Sequence, residues 1–209
     1  MKHLSGLFIA LIITGSVISS CGTQKKPVDQ DSFPYESFEI MRGTNIAHWL
    51  SQSQRRGSER ETFFTEKDVK FIDSCGFDHI RLPIDEEQMW DESGKRNEDA
   101  FTLMKNCLDW CQKAGLRVII DLHILRSHHF NEEVKPLWTD PAEQDQFIAL
   151  WKDLSDFLKE QPLAMVAYEP MNEPVADDPE EWNVLLARVV TAIRQWEPQR
   201  VIVIGSNRW

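Results

Sequence analysis

Short apolar runs alternate with longer amphipathic stretches from Glu39 onward, and this alternation constrains the fold more than any other feature. Five apolar runs are typical of strands, and their starts are spaced by roughly 40 residues. They span Phe38–Asn45, His79–Ile84, Arg117–His123, Leu163–Tyr168 and Arg200–Gly205. Strands that are apolar on both faces are typical of a parallel sheet covered by helices. The pattern therefore predicts an α/β domain.

Four long helices are predicted between these strands from their start signals. Thr65 and Asp68 have the spacing of a capping box, and Asn97 precedes the second helix. The third and fourth helices open with Asp140-Pro141 and Asp178-Pro179, in which a cap residue is followed by a first-turn proline. The order of elements is thus strand, helix, strand, repeated until the fifth strand.

Polar side chains capable of chemistry lie at or just beyond the ends of all these strands. They are Asn45, His48, Arg81, His123, Asn172, Glu173 and Asn207. A barrel places its active site at that rim, whereas an open sheet concentrates its site at one crevice. No G-x-G-x-x-G follows the first strand, which argues against a nucleotide-binding sheet. We therefore predict a partial (β/α)8 TIM barrel with about five strands and four helices.

Composition narrows the class of partner. The formal net charge is −11 and no basic stripe is present, so nucleic acid is not expected to bind. Eight Trp among 209 residues fill cores well, but their flat faces also stack on sugar rings. The negative charge would neither favour nor oppose the binding of a neutral polysaccharide.

The N-terminus carries an export signal. Lys2 precedes the apolar run Leu7–Ile13, which is too short to span a membrane comfortably. Ser19-Ser20-Cys21 follows and resembles a bacterial lipobox, in which cleavage precedes a cysteine that then receives lipid. The resemblance implies a signal peptide over 1–20 and a lipid anchor at Cys21 in the bacterial cell envelope. Residues 21–37 would form a flexible tether, and 38–209 the barrel portion. An ordinary secretory signal is the alternative.

Three cysteines remain after Cys21, and an odd number cannot all pair within one chain. Cys107 and Cys111 are four residues apart on a predicted helix, so they share one face. We expect them to be small buried side chains rather than metal ligands.

The segment Glu169–Pro174 carries the most specific motif. Asn172-Glu173-Pro174 after an apolar strand resembles the signature of glycoside hydrolase family 5, a family of retaining (β/α)8 glycosidases. Three further segments agree in the same order along the chain, over roughly residues 38–209. They are Arg42-Gly43-Thr44-Asn45, Ile80-Arg81-Leu82-Pro83 and Val118–His123.

The resemblance implies roles for the residues at matching positions. Glu173 would be the acid/base that protonates the glycosidic oxygen and then deprotonates water. Asn172 would bond the sugar 2-hydroxyl, and Arg81 would hold the nucleophilic carboxylate. His123 would bond a sugar hydroxyl, and Asn45 belongs to the same substrate-binding set.

Three further residues are candidates for sugar contacts. His48 and Trp49 after the first strand could form a subsite wall, although Trp49 could equally plug the barrel. Trp138 lies in a proline-containing loop after the third strand and is expected to be an exposed platform.

The resemblance also implies a retaining hydrolase of β-1,4-linked glucan, cellulose or a related polysaccharide, acting as a monomer without metal or cofactor. Its nucleophile would be a Glu after the seventh strand, beyond Trp209, so we expect a fragment that is inactive alone. One alternative is a sugar-binding lipoprotein with a degenerate barrel. Another is a metal-dependent hydrolase, whose ligands would come from Asp121, His123, His128, His129 and Glu173.

Overall fold

A computed structural model describes residues 33–208. The predicted signal peptide, Cys21 and most of the predicted tether lie outside these residues. The described chain contains five strands, β1 to β5, which form one sheet. They span Gly43–Asn45, His79–Asp85, Arg117–Ile124, Val166–Glu169 and Val201–Ile202.

The sheet is parallel throughout, and its strands lie side by side in chain order, β1-β2-β3-β4-β5. A doubly wound open sheet reverses its strand order at a switch point, and this sheet does not. Successive strands that each add to the same edge are the pattern of a (β/α)8 barrel. The predicted α/β class is therefore confirmed.

Four long helices cover the sheet, as the sequence predicts. With three short helices they make a series α1 to α7: Gly57–Glu61, Glu66–Ser74, Glu86–Met89, Glu98–Ala114, Pro136–Thr139, Pro141–Leu158 and Pro179–Trp196. The short helices α1, α3 and α5 were not predicted, because segments of four or five residues carry too little periodicity to be recognised.

Local hydrogen bonds account for three of the four long-helix starts. The Thr65 backbone N–H donates to the Asp68 carboxylate over 2.8 Å. Asp140 and Asp178 each accept a backbone N–H two residues ahead, at 2.8 and 2.9 Å. Asn97 is the exception, because its side-chain amide donates to the backbone of the preceding segment instead of capping α4.

The two faces of the sheet differ sharply in chemistry. One face is apolar and packs against the helices through side chains of β2, β3 and β4: Ile80, Leu82, Ile84, Val118, Ile120, Leu122, Val166 and Tyr168. The alternate positions of the same strands carry Arg81, Asp121 and Glu169. The expectation of strands that are apolar on both faces is thus wrong for the central strands, since the second face holds a charged network.

Three strands are shorter than predicted. β1 begins at Gly43 rather than Phe38, and its residues are largely exposed because it pairs only with β2. β4 begins at Val166 because Met165 and Val166 donate to the Pro162 carbonyl in a turn. β5 ends at Ile202, although the Val203 N–H still donates to Tyr168 over 2.8 Å.

Two of the cysteines behave as expected from their spacing. Cys107 and Cys111 lie on α4 and are fully buried in the core, and Cys75 is exposed. Across residues 33–208, no helix combines the length and the hydropathy that a membrane crossing requires.

Candidate active site

Arg81 on β2 is the centre of the polar cluster at the carboxyl ends of the strands. Its Nε and Nη2 atoms donate to the two oxygens of Glu169, at 2.7 and 2.9 Å. It also donates to Asn45 Oδ1 at 3.1 Å and Asn172 Oδ1 at 3.0 Å, and lies 2.8 Å from Asp121 Oδ2. One guanidinium therefore joins side chains from the ends of β1, β3 and β4.

The neighbouring carboxylates keep Arg81 in its charged form. Burial acts to lower the pKa of Arg81, but Glu169, Asp121 and Glu173 raise it, and the net shift is upward. The Glu173 carboxylate makes the smallest of these contributions to the pKa of Arg81. A fixed positive charge beside a site of proton transfer stabilises anionic groups that form there.

A second chain of contacts runs from Asp121 to the loop after β1. Asp121 is fully buried, and its Oδ2 lies 2.7 Å from His123 Nδ1. His123 Nε2 lies 3.3 Å from the Gln52 side-chain nitrogen. If the imidazole is neutral and protonated on Nδ1, then Nδ1 donates to Asp121 and Nε2 accepts from Gln52. The arrangement sets both the orientation and the tautomer of His123.

Desolvation governs the ionisation of Asp121. Burial raises the pKa of Asp121 to about 6, against the opposing effects of His123 and Arg81. Its second oxygen has no hydrogen-bond partner among residues 33–208. Arg81 also binds Glu169 through two hydrogen bonds, so its positive charge is divided between two carboxylates and does not outweigh the effect of burial on the pKa of Asp121.

Glu173 follows β4 on a turn with unusual backbone geometry. Its φ is 41°, in the left-handed region, and Val175 has a φ of 42°. The backbone at Glu173 is therefore not extended, although a residue before a proline usually is. Left-handed φ values in residues other than glycine persist only where surrounding contacts hold them, and they cluster at functional sites.

Three hydrogen bonds hold this turn in place. His128 Nε2 lies 3.1 Å from the carbonyl oxygen of Glu173, and Trp151 Nε1 donates to the Pro170 carbonyl over 3.0 Å. Farther along, Val175 N–H donates to the Asn207 carbonyl over 2.9 Å. The side chain of Asn207 also bonds the backbone N–H and the carbonyl of Ala176, at 2.8 and 2.9 Å. The exposed Glu173 side chain thus stands on a braced segment.

The predicted site residues separate into two groups. Asn45, Arg81, Asn172 and His123 come together in one network, with Glu173 beside it. His48 is exposed at the rim, with a φ of 58° and its Nδ1 3.2 Å from the Gln52 carbonyl oxygen.

Two tryptophan predictions require correction. Trp49 has no exposed surface: it packs against Phe64 and donates from Nε1 to the Arg60 carbonyl over 2.8 Å, so it cannot form a subsite wall. Trp138 is half-buried rather than an exposed platform. It meets His128 and Trp182 edge-on because the short helix α5 turns the indole toward the core.

Several members of the site were not predicted. The role of Glu169 as the partner that binds Arg81 through two hydrogen bonds was not predicted. Gln52 was missed because it lies in a loop, with no periodicity to place it, and His128 was named only as a ligand of the metallohydrolase alternative. Asp121 was also named only as a metal ligand, although its position two residues before His123 on the same strand face predicts that the two side chains are neighbours.

Among residues 33–208, no group of three or more His, Cys, Asp or Glu side chains is arranged to hold a metal ion. The ligands of the metallohydrolase alternative are instead divided between separate contacts. Asp121 and His123 pair with each other, and His128 Nε2 bonds a backbone carbonyl.

Comparisons with known proteins agree with this geometry. The family model for cellulase, glycosyl hydrolase family 5, matches residues 29–209. Endoglucanase C of Acetivibrio thermocellus is 35% identical over 172 residues, which are 80% of this chain and 50% of that protein. The chain therefore spans about half the length of this relative.

Solved structures give the same result. Thermotoga maritima Cel5A in complex with cellobiose, in a mutant form, superposes with a TM-score of 0.66 at 28% identity, over 81% of this chain and 56% of that one. Its complex with mannotriose gives a TM-score of 0.65 at 27% identity, over 80% and 52%. With the parallel strands, the rim cluster and the matched family model together, the chain belongs to glycoside hydrolase family 5.

Proposed function

We propose that the full-length protein hydrolyses β-1,4-glycosidic bonds in cellulose or a related β-glucan, with Glu173 as the acid/base. The observation that carries the proposal is the position of Glu173, an exposed residue on a braced turn, directly after Asn172, which is bonded to Arg81. The family membership and the similarity to an endoglucanase support the reaction class.

In the first step, Glu173 protonates the glycosidic oxygen as the bond to the anomeric carbon breaks. A second carboxylate attacks that carbon, and Glu173 then deprotonates the water that hydrolyses the covalent intermediate. Within residues 33–208 we assign no nucleophile, because Glu169 is held by Arg81 through both oxygens. The nucleophile is a carboxylate on another strand of the full-length barrel, about 5–5.5 Å from Glu173, as retention requires.

The substrate is held by the polar side chains of the rim. Asn172 Oδ1 accepts from Arg81, so its amide nitrogen remains free to donate to a sugar hydroxyl. His123, positioned by Asp121, bonds a second hydroxyl through Nε2 when the sugar takes the place of the Gln52 amide. A glucan is preferred because of the endoglucanase relative, and mannan is the second candidate because Cel5A was solved with mannotriose.

The Glu173→Gln variant of the full-length protein tests the assignment. We expect hydrolysis of cellulose to fall by about 10²- to 10⁴-fold, the usual contribution of a general acid. An aryl cellobioside with a good leaving group needs no protonation, so its bond should still break, and azide should restore turnover. Product analysis by NMR of the anomeric proton measures both rate and retention.

Glu160→Gln is the matched control, since Glu160 is an exposed carboxylate at the end of α6. It should behave as wild type on both substrates. Normal cellulose turnover by Glu173→Gln would overturn the acid/base assignment. Binding of glucan by the wild-type protein with no turnover of any β-glycan would favour the non-catalytic sugar-binding alternative.

Export and anchoring complete the proposal. The protein acts as a monomer at the bacterial cell envelope, after removal of residues 1–20 and lipidation of Cys21. The support is the Ser19-Ser20-Cys21 pattern behind an apolar run. We expect Cys21→Ser to move the protein from the membrane fraction to the soluble fraction without loss of glucan hydrolysis. Wild-type membrane attachment of that variant would contradict the anchor.

A further inference from the structure

The loop after β1 contains two residues with a strained backbone. Across residues 33–208, four residues other than glycine have a φ in the left-handed region: His48, Gln52, Glu173 and Val175. Glu173 and Val175 belong to the turn after β4, whereas His48 and Gln52 both follow β1. Strain of this kind persists only where other contacts hold it, and it clusters at functional sites. The loop after β1 is therefore a place to look for a second role at the rim.

Asp85 holds the backbone of Gln52 in this conformation. It lies at the end of β2 and is only 2% exposed, and its Oδ2 atom accepts the Gln52 N–H over 2.6 Å. A backbone N–H that donates to a carboxylate makes a strong, charge-assisted hydrogen bond. His48 Nδ1 lies 3.2 Å from the Gln52 carbonyl oxygen. Both backbone polar groups of Gln52 are thus held, and its side chain is the part that can turn.

The Gln52 side chain reaches the proposed sugar-binding residues. Its amide nitrogen lies 3.3 Å from His123 Nε2, the atom to which we assign a sugar hydroxyl. Gln52 is also an exposed residue, and it lines a cavity of about 630 Å³ next to the ends of β2 and β3, together with Phe130 and Asn131. A cavity of this size falls in the range of small-molecule sites. Gln52 therefore borders space that a ligand can enter.

A sugar bound to His123 would meet the Gln52 amide. The hydroxyl that donates to His123 Nε2 takes the place of the amide nitrogen, and the next hydroxyl of the same ring then lies close to the displaced amide. An amide both donates and accepts, so it can pair with a hydroxyl in either orientation. Because the Gln52 backbone is held by Asp85, the displaced amide stays within reach of the sugar.

We propose that Gln52 binds a hydroxyl of the same glucosyl residue that His123 binds, and that Asp85 is the positioning residue for Gln52. The inference rests on the proposed function, since it needs a sugar at His123. It adds a substrate contact from the loop after β1 to those from the ends of β3 and β4.

Calorimetric titration of the full-length protein with thio-linked cellotetraose tests the contact. Sulfur in place of the glycosidic oxygens prevents cleavage, so the measured affinity does not depend on turnover. Gln52→Leu keeps a side chain of similar size and removes the amide. We expect it to weaken binding by about 2- to 10-fold, the effect of losing one neutral hydrogen bond. Unchanged affinity would overturn the inference. Tighter binding would show that the amide only competes with the sugar, and would overturn it as well.

Aryl β-cellobiosides with one hydroxyl at a time replaced by hydrogen identify the group that Gln52 contacts. On the compound that lacks this hydroxyl, wild type and Gln52→Leu should have the same kcat/KM, whereas the intact compound should distinguish them. An equal effect of Gln52→Leu on every member of the series would refute a direct contact with the sugar.

Two variants of Asp85 test its positioning role. Asp85→Asn keeps an oxygen that can accept the Gln52 N–H, so its affinity for thio-linked cellotetraose should stay near that of wild type. Asp85→Ala removes the acceptor and should weaken binding as far as Gln52→Leu does, with no further loss when the two changes are combined. Full additivity of the two changes, or equal weakening by Asp85→Asn and Asp85→Ala, would contradict the positioning role.

Asp78→Ala is the matched structural control. Asp78 precedes β2, at the opposite end of the strand, and its carboxylate accepts the backbone N–H groups of Met41 and Arg42 at 2.9 and 3.0 Å. This variant should lower the unfolding midpoint without changing the affinity. A wild-type protein that binds no cellotetraose analogue would refute both proposals. Normal glucan hydrolysis by wild type, with Gln52→Leu equal to it in affinity, would refute only the present inference.

Discussion

At the residue scale, the rim depends on how a single guanidinium is shared. Arg81 bonds Glu169 through both oxygens while also contacting Asp121, Asn45 and Asn172. Buried charges of this kind are stable only when most of their polar atoms are paired, so loss of one partner affects the rest. Arg81 is therefore a positioning residue for the side chains around it.

Gly43 shows how closely the first strand approaches its neighbour. A Cβ atom at this position would lie 2.1 Å from the His79 Nε2 atom, well inside contact distance. The His79 ring is itself fixed by Asp78, whose carboxylate lies 2.6 Å from Nδ1. The glycine thus allows β1 to pair with β2 beside an immobilised ring.

His128 links the stability of the turn at Glu173 to pH. Burial lowers the pKa of His128 to about 4, with smaller contributions from Lys135 and His129, against the hydrogen bond to Glu173. The unfolded chain takes up this proton near pH 6.5, whereas the folded chain does not until about pH 4. The free energy of unfolding therefore falls as the pH drops from 6.5 to 4, by about 3 kcal/mol.

His128→Gln removes this dependence, because glutamine can still donate to Glu173 but does not titrate. Urea unfolding of the full-length protein at pH 7, 5.5 and 4.5 measures the effect. We expect the variant to lose less stability on acidification than wild type. His129→Gln serves as the neighbouring control and should keep the wild-type profile; equal profiles for wild type and His128→Gln would contradict the prediction.

Most of the rim could be predicted from the sequence, because the carboxyl ends of parallel strands meet at one edge. Arg81, His123 and Asn172 all follow from that rule. The two tryptophans did not, since the side on which a loop residue packs depends on tertiary contacts. A tryptophan in a loop can lie exposed and stack on a sugar, or it can pack inward, and the sequence looks the same in both cases. Trp49 and Trp138 both turn toward the core.

At the element scale, the C-terminal end of α6 is completed by a side chain from the start of β5. Arg200 is fully buried and donates to four carbonyl oxygens at distances of 3.1–3.4 Å, those of Leu158, Gln161, Pro162 and Val166. The last carbonyls of a helix have no partners within it. The guanidinium serves the carbonyl of Leu158, the last residue of α6, and three more in the segment that follows the helix.

Glu197 balances the charge of Arg200. One carboxylate oxygen accepts from Arg200 Nε at 2.8 Å, and the other accepts from the Ser155 hydroxyl at 2.7 Å and the Tyr168 hydroxyl at 2.6 Å. Burial raises the pKa of Tyr168, and the Glu197 carboxylate adds to the shift, so the phenol remains protonated and donating. The cluster joins α6, α7, β4 and β5.

Glu197→Gln is expected to lower the free energy of unfolding by about 3–5 kcal/mol, because it leaves the buried Arg200 without a counter-charge. Chemical denaturation of the full-length protein measures the loss. Asp145→Asn breaks a matched but exposed pair with Arg188 and should cost less than about 1 kcal/mol. Similar losses for the two variants would contradict the buried-pair interpretation.

The sequence predicts the long helices and the strands, but it predicts where the strands begin and end less well. Caps such as Asp140 and Asp178 are local signals, and the helices behind them begin where predicted. The start of β4 was misplaced because Leu163 and Ala164 are as apolar as strand residues, yet a turn at Pro162 occupies them. The Arg200 cluster depends on residues about 40 positions apart, which no local pattern reveals.

At the scale of the whole molecule, the described sheet has two outer strands, β1 and β5, each paired on one side only. Strand edges with free backbone groups promote association between chains. Near the β5 edge, Val201 and Ile202 are half-buried and Ile204 is 53% exposed. In a closed (β/α)8 barrel every strand has two neighbours, so this edge is where a further strand would pair.

The effect of a charge at Ile204 distinguishes an open edge from a covered one. When residues 38–209 are produced alone, Ile204→Lys should reduce aggregation, because a charged side chain at an edge opposes strand addition. In the full-length protein the same change should lower the unfolding midpoint, because a neighbouring strand would bury the lysine.

Val184→Lys is the control. It alters a side chain that is 54% exposed on α7 and should change neither aggregation nor the unfolding midpoint. Light scattering and thermal unfolding measure the two effects, and equal behaviour of the two variants would mean that Ile204 lies on ordinary surface in both forms of the protein.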